Sequence, residues 1–378
     1  MAEPQTSVAW WHMGASDDQP ARITGVATRV VRLPLAEPIR TAIHDSSTCD
    51  HVLVRVSTDR GAEGIGHIFA FGAGWAVALE SMVQELGRMA VGQNAADLPA
   101  LERKLHVGIR FMGLRGAALM AVAALDTACW DIVGRLREEP LWSLLGGARR
   151  EVRCYASDSL WLGCEVGALA GLARARTAAG FDAMKVRIGS GRPDEDARRV
   201  AAVRDAVGGD VTLMADANQG WSRAQAIETG ALLAGYGLHW LEEPVPAEDY
   251  ESLRPIHEAT GLPIATGESW FGMLDVEPGL ATGAVSFLMP DLERMGGVSG
   301  WATAARAARA ASVPVSPHLF PEVSVHLMCA LQPDGLVEYV PWYSDLFEDP
   351  PLPRDGRLAP SEEPGLGLRF RPEVFPAG

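Results

Sequence analysis

Eight ionisable residues recur through the second half of the chain: Lys185, Arg187, Asp216, Glu242, Glu268, Asp291, His318 and Glu338. Lys185 and Arg187 stand two apart, which places both on one face of an extended strand. Asp216, Glu242 and Glu268 close three successive apolar runs at intervals of 26 and 26 residues; Asp291, His318 and Glu338 follow at 23, 27 and 20. A helical stretch separates each run from the next, so the interval is one β/α unit. Side chains spaced in this way converge at the C-terminal mouth of a barrel, where such folds hold their sites. Taken singly, each acid reads as a turn, a cap or a solvated strand end, and Lys185-Val-Arg187 as a solvated basic pair. Three acids at one-unit spacing read as a site.

Three carboxylates aimed into one mouth repel each other unless a cation sits between them. Oxygen-only ligands favour a hard ion, and Mg²⁺ takes a few carboxylates while leaving positions for water or substrate. Asp291, one unit before His318, would orient the imidazole and raise its basicity. Glu338 reads either as a protonated donor to an oxyanion or as a buried strand-end acid.

The elements that must position these groups follow from the rest of the chain. It has 378 residues, 48% of them hydrophobic and 21% charged, which suits an ordinary globular protein with a large core. A formal charge of −15 argues against nucleic acid or an anionic membrane as partner. A small anionic substrate stays open, because one local cation can dominate a site. The five cysteines, scattered and without a CxxC, predict reduced thiols and a cytoplasmic protein. Residues 1–21 read as a polar leader without signal-peptide pattern, and the apolar stretch 116–125 is too short to span a bilayer. Residues 22–148, strands followed by helices, predict a small α+β domain. Residues 149–350 alternate short apolar runs with helices, which predicts a closed β/α barrel, and 351–378 form a tail that packs back on the first domain.

The ordered motifs MKVRIG, MADANQ, WLEEP, GESW, PDLERMGGVSGW, SPHLFPEVSVHL and LVEY resemble the mandelate racemase branch of the enolase superfamily, over about residues 22 to 370. GHIFAF and AALDTACWDIVGRLREEPLWSLLGG in the first domain resemble it too. The resemblance implies an α/β fold, a modified TIM barrel (β/α)7β under an N-terminal α+β capping domain. It implies Mg²⁺ held by Asp216, Glu242 and Glu268, with the first acid of Glu-Glu-Pro as ligand, an Asp291–His318 base and Glu338 as electrophilic donor. It further implies a homo-oligomer, from dimer to octamer. In the shared chemistry a proton α to a carboxylate is removed, and cations stabilise the enediolate that forms. Lys185 would face the substrate carboxylate, and Asn218 and Ser157 are further candidates for substrate hydrogen bonds.

One position departs from the branch. Racemases carry Lys-x-Lys, whose second lysine works on the face opposite the histidine; here that residue is Arg187, a poor base that stays protonated. One-sided chemistry from His318 is therefore expected: dehydration of a sugar acid to a 2-keto-3-deoxy acid. The polar cap segment from Arg40 to Ser47, with His44, is expected to hydrogen-bond the polyol. Cycloisomerisation with lactone opening, racemisation of a 2-hydroxy acid and a non-catalytic sugar-acid binder are the alternatives.

Overall fold

The computed structural model describes residues 19–376, so the expected leader lies outside the described residues up to position 18. The chain is already tied down at Ala21, which is buried and donates its N–H to Asn94 Oδ1 (3.0 Å).

Three antiparallel strands open the cap: β1 (Ile23–Arg40), β2 (Asp45–Thr58) and β3 (Glu63–Ala70), in the order β1-β2-β3. Their inner face lies against α1 (Ala73–Ala90) and α3 (Ala117–Arg137), with α2 (Leu98–Ile109) between these helices in sequence. Helix α2 escapes a sequence reading that looks for long apolar repeats, because only Leu98, Leu101, Leu105 and Ile109 of it are buried. Helix α3 runs well past the apolar stretch seen in the sequence. Its 21 residues are long and apolar enough to cross a membrane, yet 89% of its most apolar window is buried inside the fold. It is the core helix of the cap. Gly64 and Gly66 of β3 let it approach, since a Cβ on Gly66 would stand 2.2 Å from the Ala124 carbonyl oxygen.

The second domain is a parallel barrel. Strands β4 (Val152–Ala156), β5 (Ala183–Arg187), β6 (Thr212–Asp216), β7 (Leu241–Glu242), β8 (Ile264–Thr266), β9 (Val285–Leu288) and β10 (Leu336–Tyr339) pair in the order β10-β4-β5-β6-β7-β8-β9. The eighth stave is the irregular segment 313–318. Leu288 bridges Val315 and Asp291 bridges His318, both in parallel. The Ser316 N–H donates to Leu288 O (3.0 Å) and its hydroxyl to Leu336 O (2.8 Å), which joins β9 to β10. Pro314 and Pro317 remove two backbone donors from this stave, so its ladder is sparse. Seven helices connect the eight staves: α5 (Val166–Ala178), α6 (Pro193–Val207), α7 (Arg223–Leu233), α8 (Tyr250–Thr260), α9 (Met273–Ala281), α10 (Val298–Ala310) and α11 (Pro321–Leu331), while α4 (Leu141–Leu144) lies before the first stave. The architecture is the (β/α)7β barrel.

Buried carboxylates tie the parts together. Asp126 of α3 accepts from Ser299 N–H (3.0 Å) and Oγ (2.6 Å) at the start of α10, joining cap to barrel. Asp131 accepts from Ile65 N–H (3.0 Å) and from Leu366 N–H (2.8 Å), joining β3 to the C-terminal tail. The tail also adds β11 (Arg357–Leu358), antiparallel to β4.

Candidate active site

The strand ends deliver their side chains as one cluster. Carboxylate oxygens of Asp216, Glu242 and Glu268 lie within 4.8 Å of one another, all buried. Past the ends of these strands the chain turns sharply. Asn218, Gln219 and Glu243 have φ of 42°, 61° and 37°, as do Leu319 and Phe320 (52° and 49°) after His318. Left-handed backbone at non-glycine residues costs free energy and concentrates at functional sites. In Glu242-Glu243 the turn also separates the two acids. Glu242 points into the cluster, whereas Glu243 accepts from Gln219 Nε2 (2.9 Å) outside it.

Lys185 Nζ lies 2.8 Å from Glu338 and 3.6 Å from Asp216, and also bonds Glu242. Arg187 pairs with Asp216 (Nη1 to Oδ2, 3.0 Å), donates to Ser157 Oγ (3.1 Å) and lies over the Trp161 ring at 4.9 Å. Four acids, Asp216, Glu242, Glu268 and Glu338, thus face two fixed cations, so that full ionisation would leave two negative charges uncompensated. Burial, with Glu243 and Asp216 beside it, pushes Glu268 up to about 7, and burial holds Glu242 well above the carboxylate range. Glu268 Oε2 is buried without a hydrogen-bond partner. An oxygen-only, acid-rich pocket short of two positive charges fits a divalent hard cation. Mg²⁺ is the ion of this site.

His318 belongs to the same mouth. Its Nδ1 lies 2.7 Å from Asp291 Oδ2, which directs Nε2 to the other side, 3.7 Å from Glu268 Oε2. Burial lowers the basicity of the ring, but the carboxylates of Glu268, Asp291 and Glu338 outweigh it and raise the imidazole to about 9. Asp291 is itself fixed by Arg294, whose N–H donates to Oδ1 (2.9 Å) and whose guanidinium lies 3.5 Å from Oδ2.

Above the mouth lies a cavity of about 540 Å³, partly covered by the cap. Of the residues singled out in the sequence, Arg187, Asn218, Glu268, His318 and His44 line it. Asp216, Glu242, Lys185, Ser157, Asp291 and Glu338 stand behind that wall, fully or nearly fully buried.

Three expectations change. Glu338 is not a neutral donor here: burial alone would raise it, but Lys185, His318 and Arg187 hold it below the carboxylate range. Its oxygens accept from Ser157 Oγ (2.6 Å) and Leu319 N–H (3.0 Å), so it holds the mouth together as an anion. Ser157, occupied between Glu338 and Arg187, supports these groups and does not reach the cavity. Arg40 is turned away, because it follows the buried Ile39 on a strand and alternation sends it to solvent, 3.8 Å from an exposed Asp45. The segment Arg40–Ser47 is the turn of the β1–β2 hairpin, with Arg40 opposite Asp45.

Sequence reasoning missed Glu293, Arg294, Trp161 and Trp342, all of which line the cavity. Glu293 and Arg294 sit directly after Asp291-Leu292, where two charged residues in an otherwise apolar run were a usable signal. Trp342 lies in a short 3-10 helix, Pro341–Leu346, which has no periodicity to find.

Comparison with known proteins agrees with this geometry. Residues 23–146 match the mandelate racemase/muconate lactonizing enzyme N-terminal domain, and residues 168–374 match the enolase C-terminal domain-like family. D-galactarolactone cycloisomerase of Agrobacterium fabrum is 32% identical, over 94% of this chain and 98% of its own length. L-talarate/galactarate dehydratase of Salmonella typhimurium is 29% identical, over 97% of this chain and 95% of its own. An enolase from Bradyrhizobium, solved with magnesium and mandelic acid, superposes with a TM-score of 0.88 at 33% identity, covering 94% of this chain and 98% of that one. The chain is a member of the mandelate racemase/muconate lactonizing enzyme family of the enolase superfamily.

Proposed function

We propose that this enzyme dehydrates a sugar acid or a related 2,3-dihydroxy acid to the 2-keto-3-deoxy acid. The observation that carries the reading is the pairing of one oriented histidine with an arginine where a second base would stand. His318 Nε2 faces the cavity and takes the proton from C2, and Asp291 holds the ring and stabilises the imidazolium. Electrons from the C2–H bond pass into the carboxylate to form an enediolate. These electrons then return to form the C2–C3 double bond, the C3–O bond breaks, and the hydroxyl leaves as water with the proton carried by His318. The enol product takes a proton at C3 and becomes the ketone. Mg²⁺, held by Asp216, Glu242 and Glu268, supplies the positive charge that stabilises an enediolate. Arg187 is cationic throughout, since the surrounding acids outweigh burial and raise it further; Asp216 and Ser157 hold its guanidinium in the cavity wall, where its charge faces a substrate oxygen.

The family relatives include cycloisomerases as well as dehydratases, and both begin with the same proton removal. We further infer a cytoplasmic location from five free cysteines, four of them buried, and a homo-oligomeric assembly. The test is incubation of the purified protein with Mg²⁺ and a panel of aldonates, aldarates and deoxy sugar acids. Dehydration yields a semicarbazide-reactive 2-keto acid lighter by one water, and cycloisomerisation yields an isomer of unchanged mass. If no acid on the panel loses water, the dehydratase reading fails.

A further inference from the structure

The floor and the roof of the cavity differ in kind. The floor, from the barrel, is polar: Arg187, Asn218, Glu268, Glu293, Arg294 and His318. The roof, largely from the cap, is apolar, with Phe71, Met82 and Met120 facing the barrel's Trp342 and the exposed Ile43 and Trp75 at its open rim. Among the described cap residues lining it, only Thr41 and His44 carry polar side chains. Thr41 Oγ1 is already engaged, accepting from the N–H groups of Ile43 (3.2 Å) and His44 (3.0 Å). His44 packs its ring against Phe71 at 5.4 Å. Among the described cap residues no Lys or Arg lines the cavity.

Of the residues that looked suited to a polyol, His44 stays at the cavity, and the others are spent elsewhere. Arg40 and Asp45 pair on the exterior, and Ser46 Oγ donates to Thr48 O (2.8 Å) within the hairpin. A hydroxyl pushed against the apolar part of this roof, away from Thr41 and His44, loses its water without gaining a partner, and each such group weakens binding by about tenfold. A carboxylate there fares worse, lacking a cation. An apolar terminus instead buries its surface against aromatic and aliphatic walls, which strengthens binding by about ten- to a hundredfold for a phenyl- or leucine-sized group.

We propose that the substrate is a 2,3-dihydroxy acid whose end distal to the carboxylate is apolar: deoxygenated, branched alkyl or aryl. The polar atoms at C1 to C3 meet the floor and the remaining chain meets the roof. This rests on the proton-abstraction reading above, and narrows it to acids unlike the aldarates.

The test compares 2,3-dihydroxy-4-phenylbutanoate, a 6-deoxyhexonate, a hexonate and galactarate on the Mg²⁺-loaded full chain. Dissociation constants come from calorimetry, and α-proton exchange in D2O is followed by NMR with the same acids. The expected order is phenyl acid tightest, deoxy acid next, then hexonate and galactarate, with the phenyl acid at least tenfold tighter than galactarate. Ile43→Thr, at an exposed hairpin turn, should weaken the phenyl acid several-fold relative to galactarate and so narrow the gap between the two. Equal or tighter binding of galactarate overturns the inference, whatever the exchange result. Absence of exchange with every acid overturns the proton-abstraction reading instead, and is seen separately from the binding order.

Discussion

Arg187→Lys isolates what the arginine does. The guanidinium stacks over Trp161 at 4.9 Å, bonds Ser157 Oγ at 3.1 Å and pairs with Asp216 at 3.0 Å. A lysine at this position is shorter and cannot hold all three. Losing a charge-assisted hydrogen bond and a cation–π contact costs on the order of 2–4 kcal/mol, roughly 30- to 1,000-fold in kcat/KM. Against that loss stands a gain. At pH 9 an amine with the reference pKa near 10.4 is about 4% neutral, roughly a hundred- to two-thousandfold above a guanidinium. The variant therefore provides a base on the side of the mouth away from His318. The assay is NMR of α-proton exchange in D2O at pD 9, started separately from each C2 epimer of one acid. Wild type is expected to exchange one epimer only, and Arg187→Lys to exchange both, slowly, with some epimerisation. Comparable exchange of both epimers by wild type would refute the one-sided reasoning. So would a variant that binds acid and Mg²⁺ and still exchanges one epimer alone.

Asp291→Asn removes the anion 2.7 Å from His318 Nδ1, and kcat should fall by about 10²–10⁴. Because the base must be neutral to act, activity rises with pH through the histidine pKa, and loss of this anion should move that rise to lower pH in the Mg²⁺-saturated enzyme; an unmoved profile contradicts the role. Glu322, buried at the start of α11 with an unpartnered Oε2, is raised by burial to about 8. The native state therefore holds a proton that the unfolded chain releases above pH 4.5, so stability falls as pH rises from there to about 8. Glu322→Gln should flatten the Tm profile over that window and raise Tm at pH 8; a parallel profile refutes this. Gly66→Ala places a methyl 2.2 Å from a backbone oxygen of α3, which should cost about 1–3 kcal/mol in urea unfolding. Ala124→Gly should not rescue it, since the clash is with the main chain.

What was legible in the sequence was what repeats. The one-unit spacing of Asp216, Glu242 and Glu268 reflects barrel geometry directly, and those acids meet within 4.8 Å. His318 and Asp291 were legible for the same reason, although their stave is too broken by prolines to be assigned as a strand. The first barrel strand, Val152–Ala156, passed unnoticed because it has no charged residue at its end. The character of the roof was not legible. Residues 40–47 look polar in a line, but a hairpin turns Arg40 and Asp45 away and sets Ile43 at the rim of the cavity, and Trp75, Met82 and Met120 arrive from helices distant in sequence. Charge state was hidden too, since Glu338 is held as an anion by Lys185, 2.8 Å away, together with His318 and Arg187.

Proton removal by His318 is most directly measured by deuterium incorporation at C2 of a non-eliminating substrate, a 3-deoxy-2-hydroxy acid, in D2O. The Mg²⁺-loaded wild type should incorporate one deuteron at C2 with retention of configuration. His318→Asn should bind acid and Mg²⁺ but incorporate deuterium at least a hundredfold more slowly. Undiminished exchange in His318→Asn, or exchange in the wild type that persists after Mg²⁺ is chelated, would contradict the account.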